Sequence, residues 1–262
     1  MRYFSALMLA LSLGSGPLLA QNWSVNEVQY QRGTLDAPSF AGGGQASTHI
    51  LTFQHASGWE YGDNFFFVDH LDDDKLDGFN DRDWYGEWYS NFSLGKITGN
   101  TVGAGPIKDV GIILGFNRAA DAKVLKYLPG VRFSWDLPGF AFLNSDLTAY
   151  IDDSAGVEEG GAPTESNSWM LDINWAYPFS VGEQDFSIQG HMEYIASREN
   201  QFGEPVSHWI LAQPQIRWDM GKALFDVKGR LFAGVEIQYW QNKLGDDNTD
   251  EKAIQLLVVA RL

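Results

Sequence analysis

Acidic and aromatic residues alternate at every second position in two short segments of the chain. They are Asp63, Phe65, Phe67 and Asp69 in the first segment, and Tyr85, Glu87 and Tyr89 in the second. Aromatic rings offer flat stacking surfaces, worth roughly 1–3 kcal/mol per stacked base. Carboxylates accept hydrogen bonds from hydroxyl and amino groups. Together these side chains can bind a flat ring that carries polar groups. The residues therefore indicate ligand binding.

Sequence motifs for catalysis are absent. The chain has no HExxH, no GxSxG and no P-loop sequence, and it has no cysteine. A calcium loop of the EF-hand type over Asp73–Gly78 is rejected because Lys75 stands at the third ligand position. We therefore predict a protein that is not an enzyme and that has no metal and no cofactor.

The charge balance excludes one large class of partner. The 262 residues contain 18 Lys and Arg against 34 Asp and Glu, a net charge of −16. Such a chain repels the phosphate backbone, so we exclude nucleic-acid polymers as partners. Aromatic residues make up 14% of the chain, which argues for a folded protein.

The residues with binding chemistry lie in segments whose hydrophobicity alternates with the period of a β-strand. In 168–178, for example, Trp169, Leu171 and Ile173 alternate with Met170 and Asp172. The same pattern predicts twelve strands, near 23–32, 48–55, 60–69, 83–93, 107–117, 129–137, 144–152, 168–178, 184–195, 207–219, 223–240 and 251–262. Twelve is an even number, as closed bacterial outer-membrane barrels require. We predict an all-β fold, a twelve-stranded antiparallel transmembrane β-barrel of the bacterial outer membrane.

The first twenty residues are typical of a secretory signal peptide. Arg2 precedes an apolar run from Phe4 to Leu13, and Ala20 offers a small residue for cleavage. The predicted organisation is therefore a signal peptide over 1–20 and a single barrel domain over 21–262. The predicted location is the outer membrane, reached through the periplasm.

Long and short connections between the predicted strands alternate along the chain. Every odd-numbered connection is long and polar (33–47, 70–82, 118–128, 153–167, 196–206 and 241–250), whereas 56–59, 138–143, 179–183 and 220–222 are short. The Gly-rich connection 94–106 is the exception. Outer-membrane barrels have long outer loops and short periplasmic turns. Acidic residues cluster in three of the long connections, where they could hold divalent cations that bridge to lipopolysaccharide phosphates. We therefore expect outer-membrane lipid and lipopolysaccharide as partners.

In a barrel the charged face of each strand must be the lumen, because lipid-facing Arg or Lys at mid-depth costs ~2–4 kcal/mol. The same alternation directs the acidic and aromatic side chains of the two segments described above into the lumen. It adds Arg132, Tyr150, Glu193, Arg217, Arg230 and Glu236 as lumen residues that we predict to bind solute. Twelve strands also give a narrower bore than porins of 16–18 strands, which favours selective passage.

Trp59-Glu60-Tyr61-Gly62-Asp63-Asn64-Phe65-Phe66-Phe67-Val68-Asp69 resembles the signature of the nucleoside-specific channel family of Gram-negative outer membranes, the Tsx and OmpK-like proteins. Weaker similarity is found in Gly105–Val110 and around Glu87–Ser90. The resemblance implies a monomeric barrel that passes nucleosides along aromatic and ionisable lumen residues. We carry this role to Asp63, Phe65, Phe67 and Asp69 alone. The resemblance also implies outer loops that bacteriophages bind. As for any outer-membrane barrel, we expect the barrel-insertion machinery as a partner during assembly.

The sequence is also compatible with other functions. The main alternative is a plugged outer-membrane barrel that acts as a surface (phage) receptor or adhesin through its acidic outer loops. An outer-membrane hydrolase with His and Ser near one rim, and a soluble secreted sugar-binding sandwich, are the other two.

Overall fold

The strands of the chain form one antiparallel sheet that closes on itself. The computed structural model describes residues 22–76 and 78–262, so the predicted signal peptide lies outside the described residues. The last strand pairs with the first, in a register from Glu27 opposite Arg261 to Arg32 opposite Leu256. The predicted closed, twelve-stranded antiparallel barrel is confirmed.

The strands in chain order are β1 (Trp23–Asp36), β2 (Gln45–Trp59), β3 (Gly62–Asp73), β4 (Asp83–Ser93), β5 (Ile107–Ala119), β6 (Val124–Tyr127), β7 (Gly130–Trp135), β8 (Phe142–Asp152), β9 (Ser168–Val181), β10 (Gln184–Ile195), β11 (Arg198–Glu199), β12 (Pro205–Val206), β13 (Trp209–Ala212), β14 (Gln215–Trp218), β15 (Leu231–Gln241) and β16 (Glu251–Arg261). The helices are α1 (Leu94–Thr98) and α2 (Met220–Phe225), with 3-10 turns at Ser39–Ala41, Val157–Glu159 and Lys243–Gly245. β11 and β12 pair with each other outside the barrel sheet.

Two of the twelve barrel passes are interrupted by proline. Pro129 separates β6 from β7, and Pro214 separates β13 from β14. Proline has no N–H to donate to a neighbouring strand, so the ladder breaks there. The alternation continues across the first break, because Leu128 is fully buried between the inward-facing Lys126 and Arg132. Each pair of short strands therefore acts as one pass.

The two rims of the barrel differ. We call the rim that holds Trp23 and Arg261 the terminal end and the rim that holds Asp36 and Glu251 the loop end. Connections at the loop end span 37–44, 74–82, 120–123, 153–167, 196–208 and 242–250. The predicted sorting of lengths holds only in part, since 120–123 is short and the terminal-end connection 219–230 is long.

The predicted strand 223–240 is wrong over its first eight residues. Asp219 caps helix α2, because its side chain accepts a hydrogen bond from the Lys222 N–H at 2.9 Å. The chain then turns, and β15 begins only at Leu231. Arg230, which we predicted in the lumen, is exposed in this turn at the terminal end, where its Nη1 lies 3.4 Å from the Arg261 carbonyl oxygen. A local cap overrides the alternation of apolar and polar residues here.

The outer surface of the barrel is apolar and the interior is polar. Exposed side chains on the outward face include Leu51, Phe53, Leu114, Ile254 and Leu256. Buried groups of the inward face include many acids, amides and arginines. This is the reverse of a water-soluble fold and matches the apolar outer band of membrane barrels. Among the described residues, no helix combines the length and the hydrophobicity needed to cross a bilayer.

Candidate functional site: the barrel lumen

A row of three aromatic rings lies on the inward face of β3 and β4. The ring centroids of Phe65 and Phe67 are 6.1 Å apart, and those of Phe67 and Tyr85 are 5.9 Å apart. All three side chains are half-buried although they point into the barrel. Their free surface therefore faces open space in the lumen. We call Phe65, Phe67 and Tyr85 the aromatic row.

Polar partners fix the residues around the aromatic row. The Glu87 carboxylate accepts hydrogen bonds from the hydroxyls of Tyr85 and Tyr89, the second at 2.9 Å. The Thr52 hydroxyl donates to Asp69 at 2.5 Å. Because these bonds hold the phenol rings by their oxygen atoms, the ring faces stay available for stacking.

The wall that faces the aromatic row carries a second polar group. β9 and β10 stand five strands away from β3 and β4 in the twelve-strand order, so they lie across the lumen. His191 bonds Asp172 through Nδ1 at 2.9 Å and Gln213 through Nε2 at 2.9 Å. Asn174 donates to Asp172 at 2.7 Å. All four side chains are half-buried, which places open space beside them as well.

Arg132 is held by two carboxylates on the inward face of the barrel. Its Nε and Nη2 donate to Asp146 at 2.7 and 2.6 Å, and its Nη1 donates to Asp63 at 2.9 Å. The contact between Arg132 and Asp63 joins β7 to β3, across the two intervening strands β5 and β4. Since its donors are occupied and its exposure is 7%, Arg132 braces the wall. Asp63 keeps a third of its side-chain surface free.

The remaining part of the lumen is filled. Arg217 donates to Glu27 at 2.9 Å, and Arg261 donates to the same carboxylate at 2.7 and 3.0 Å. Glu236 accepts hydrogen bonds from Gln31 at 2.5 Å and Gln215 at 2.7 Å. Among these residues Arg217 and Glu27 are each 1% exposed. The open space of the lumen therefore lies between the aromatic row and the wall of β9 and β10, away from β1 and β14–β16.

An apolar cluster of buried side chains lies in the lumen towards the loop end. Its buried members come from the passes β6/β7, β8, β9, β10 and β13, and Tyr89 and Trp240 pack against them. The buried members are Leu128, Tyr150, Met170, Ile195, Trp209 and Leu211. Trp209 also donates from Nε1 to Glu193 at 3.0 Å. We call this group the lumen layer.

Two loops are held down on the lumen layer by buried charges. The Arg198 guanidinium lies 4.4 Å from the Trp209 ring centroid and 5.2 Å from that of Tyr150. Glu165, from the loop 153–167, accepts hydrogen bonds from Arg198 Nε at 2.7 Å and from Lys126 at 2.5 Å. Lys126 also pairs with Asp152 at 2.8 Å. We call Lys126, Asp152, Glu165 and Arg198 the loop latch.

A third loop is fixed on the other side of the loop end. Asp246 accepts hydrogen bonds from the Ser39 N–H and from the Thr249 hydroxyl, both at 2.6 Å. Partial burial alone would raise the pKa of Asp246, but these hydrogen bonds outweigh it and hold the pKa well below its usual range. Lys243 pairs with Glu251 at 2.8 Å, and burial lowers the pKa of the Lys243 ammonium. The loop 242–250 is thus tied to the loop 37–44.

The structure places twelve of the thirteen predicted site residues on the inward face, Arg230 being the exception. It separates them into three sets. Phe65, Phe67, Asp69, Tyr85, Glu87 and Tyr89 line or support the open space; Asp63 and Arg132 form the brace; Tyr150, Glu193, Arg217 and Glu236 belong to buried networks or to the lumen layer. Whether any of them binds solute stays a prediction.

The sequence prediction omits several residues that face the same open space. Asn174 has the parity of Asp172, and Gln213 stands beside the break at Pro214. Parity alone could have found Asn174. The contact of Gln213 with His191 depends on pairing between distant strands, which no local pattern reveals. No cluster of three or more potential metal ligands occurs among residues 22–76 and 78–262.

Comparison with known proteins supports the fold. No protein-family model matches the chain, and no curated protein matches it. Solved outer-membrane barrels share the architecture. The structure of the NanC porin matches with a TM-score of 0.52 and 14% identity, over 90% of this chain and 100% of that one.

Two other solved structures are more distant. An outer membrane channel from Pseudomonas putida F1 has a TM-score of 0.49 and 10% identity, over 91% of this chain and 95% of that one. The KdgM porin has a TM-score of 0.47 and 9% identity, over 89% and 98%. The likeness to NanC establishes a shared porin-like barrel fold and leaves the solute open.

Proposed function

We propose that this protein is an outer-membrane channel for small solutes and that nucleosides are its preferred class. The protein would reach the outer membrane by way of the predicted signal peptide, with the loop end outside the cell. The observation that carries the proposal is the aromatic row, whose free ring surface faces the His191–Asp172 pair across the open part of the lumen. The resemblance of the segment 59–69 to nucleoside channels agrees with it.

The geometry favours flat solutes with polar edges. A base can stack on the aromatic row, while carboxylates and amides on both walls accept or donate hydrogen bonds to the base and the ribose. Arg132 and Arg217 are already paired with carboxylates, so they do not offer free cations to phosphate. We therefore expect uncharged nucleosides to be preferred over nucleotides.

Passage requires the lumen layer to move. Its six buried side chains occupy the lumen towards the loop end, on the path a solute would take. The layer carries Arg198, which the loop latch connects to 153–167, so displacement of these loops would open the lumen. A gated channel of this kind spends part of its time closed.

The test is single-channel recording of the refolded barrel in a planar bilayer. Adenosine and thymidine, with glucose as control, are titrated against the wild type, Phe67→Leu and Phe53→Leu. Phe53 is the matched control because it is an exposed ring on the outward face. Loss of stacking at Phe67 should weaken nucleoside block about 5- to 150-fold, the equivalent of ~1–3 kcal/mol. Conductance that nucleosides and glucose reduce equally would refute nucleoside preference.

The lumen layer also favours a second candidate, a closed barrel that acts as a surface receptor for phage or cells through its acidic loops. This function requires no open pore. The same recordings separate the two, since a folded barrel that never conducts contradicts the channel. Replacement of the segment 153–167 should then abolish phage or cell binding.

A further inference from the structure

A groove opens on the outward face of the barrel over β3–β5, and its lining also includes Phe67, Tyr85 and Glu87 of these strands. Gly86 of β4 lies between Val68 of β3 and Arg118 of β5 in the paired strands. Because glycine has no side chain, a hollow of about 530 Å³ opens there. Its outward walls are Phe66, Val68, Trp84, Trp88 and Phe116, and Arg118 stands beside Gly86, between the levels of Trp84 and Trp88. We call this hollow the Gly86 groove.

The backbone at Gly86 does not itself demand glycine, since its φ is not among the positive values. A Cβ atom at this position would stand 3.0 Å from the Phe67 carbonyl oxygen and 3.4 Å from a Val68 methyl group. A larger side chain would therefore fill the groove. The glycine thus leaves apolar space on the face that meets the hydrocarbon of the membrane.

The length of the groove suits an acyl chain. Trp84 and Trp88 are four residues apart on β4, which corresponds to ~13 Å along a strand. One leaflet of a bilayer contributes about 15 Å of hydrocarbon. Trp84 is 54% exposed and stacks edge-on against His70 at 4.7 Å, in the arrangement of interfacial aromatics that lie at headgroup level.

The positive charge of Arg118 beside the groove is unopposed. Arg118 is exposed, and within the described part of the chain its side chain makes no hydrogen bond and no ion pair. The nearby Asp83 carboxylate accepts hydrogen bonds from the backbone N–H groups of Trp84 at 2.6 Å and Asp121 at 3.0 Å. In a protein of net charge −16, this free guanidinium is a local attraction for an anion.

We infer that the Gly86 groove binds one phosphorylated glycolipid of the outer leaflet. An acyl chain lies in the groove between Trp84 and Trp88, and the phosphate of the headgroup accepts hydrogen bonds from Arg118. The inference rests on the proposed location of the barrel in the outer membrane with its loop end outward. It concerns neither the lumen nor the solute.

Binding is tested by native mass spectrometry of the full barrel in detergent, titrated with bis-phosphorylated lipid A or with the same lipid after enzymatic dephosphorylation. We expect one tightly bound lipid A per barrel. Arg118→Gln should weaken lipid A binding about tenfold, since it removes a charge-assisted contact. Arg32→Gln should leave binding unchanged, because Arg32 is also exposed, outward-facing and near the loop end but lies outside the groove.

A second variant tests the acyl part. Gly86→Val should weaken the binding of both forms of the lipid, whereas Arg118→Gln should affect only the phosphorylated form. Equal binding by Arg118→Gln and Arg32→Gln, or equal affinity for the two lipid forms in the wild type, would overturn the inference. Nucleoside conductance should not change in Arg118→Gln. A conducting barrel without selective lipid binding contradicts the lipid site alone, and a lipid-binding barrel that never conducts contradicts the channel alone.

Discussion

Neutralising Glu165 should release the loops that cover the lumen. The Glu165 carboxylate is the common acceptor of the loop latch, with contacts to Lys126 at 2.5 Å and to Arg198 at 2.7 and 3.1 Å. Its side chain is only 15% exposed. Glu165→Gln keeps the shape of the side chain but leaves two cations facing the single carboxylate of Asp152.

The expected magnitude follows from the burial of the latch. Removal of one partner from a buried ion pair costs roughly 3–5 kcal/mol. We take about 3 kcal/mol, because Asp152 still pairs with Lys126 and the glutamine oxygen still accepts one hydrogen bond. At 1.4 kcal/mol per factor of ten, the population with open loops should rise about 100-fold.

Two measurements report this change. Hydrogen exchange should accelerate about 100-fold at the amides that join the two loops, Ser166 to the Glu199 carbonyl and Gln201 to the Thr164 carbonyl. Single-channel recordings should show longer or more frequent open periods. Glu158→Gln is the matched control, because it removes the same charge from an exposed position in the same loop. If Glu165→Gln exchanges and conducts as Glu158→Gln does, the latch does not hold the loops closed.

Two further variants test the brace and the loop at 242–250. Arg132→Gln leaves Asp63 and Asp146 without their cation, so urea unfolding of the barrel should show a loss of about 3–5 kcal/mol, against almost no loss for the exposed Arg32→Gln. A loss equal to that of Arg32→Gln would contradict the brace. Since the pKa of Asp246 is lowered in the folded protein, its stabilising effect is full above the ordinary Asp value of about 4 and is lost as the pH falls further. The difference in melting temperature between wild type and Asp246→Asn should be constant from about pH 7 to 4 and shrink below it; a decrease already at about pH 6 would assign the effect to another group.

Strand alternation made the barrel predictable from the sequence. β10 was predicted over 184–195 and has those bounds, and β9 was predicted over 168–178 and continues to Val181. Alternation works here because each strand separates hydrocarbon from a polar interior, so that nearly every residue carries the signal. It failed over 223–230, where Asp219 begins a helix through a single cap.

The shape of the lumen was less predictable. The position of a residue in the alternating pattern predicts the face of the sheet on which its side chain lies. This prediction was correct for Phe67 and Arg217, which both face inward. The pattern does not show that Arg217 is enclosed by Glu27, which comes from a strand far away in sequence. Nor does it show that Glu165 folds inward to meet Arg198, because both lie in connections whose polar composition suits solvent equally well. Such contacts depend on closure of the whole barrel.

The seam between β1 and β16 has a consequence for assembly. Residues 27–32 acquire their second neighbour only when residues 256–261 arrive, so this pairing spans almost the entire described chain. Contacts of such high sequence separation form slowly. Until then two unpaired strand edges remain open to other chains. A truncated chain that lacks the final strand would not give a smaller barrel but an open sheet, prone to aggregation. The Glu27–Arg261 ion pair joins the two strands whose pairing closes the barrel.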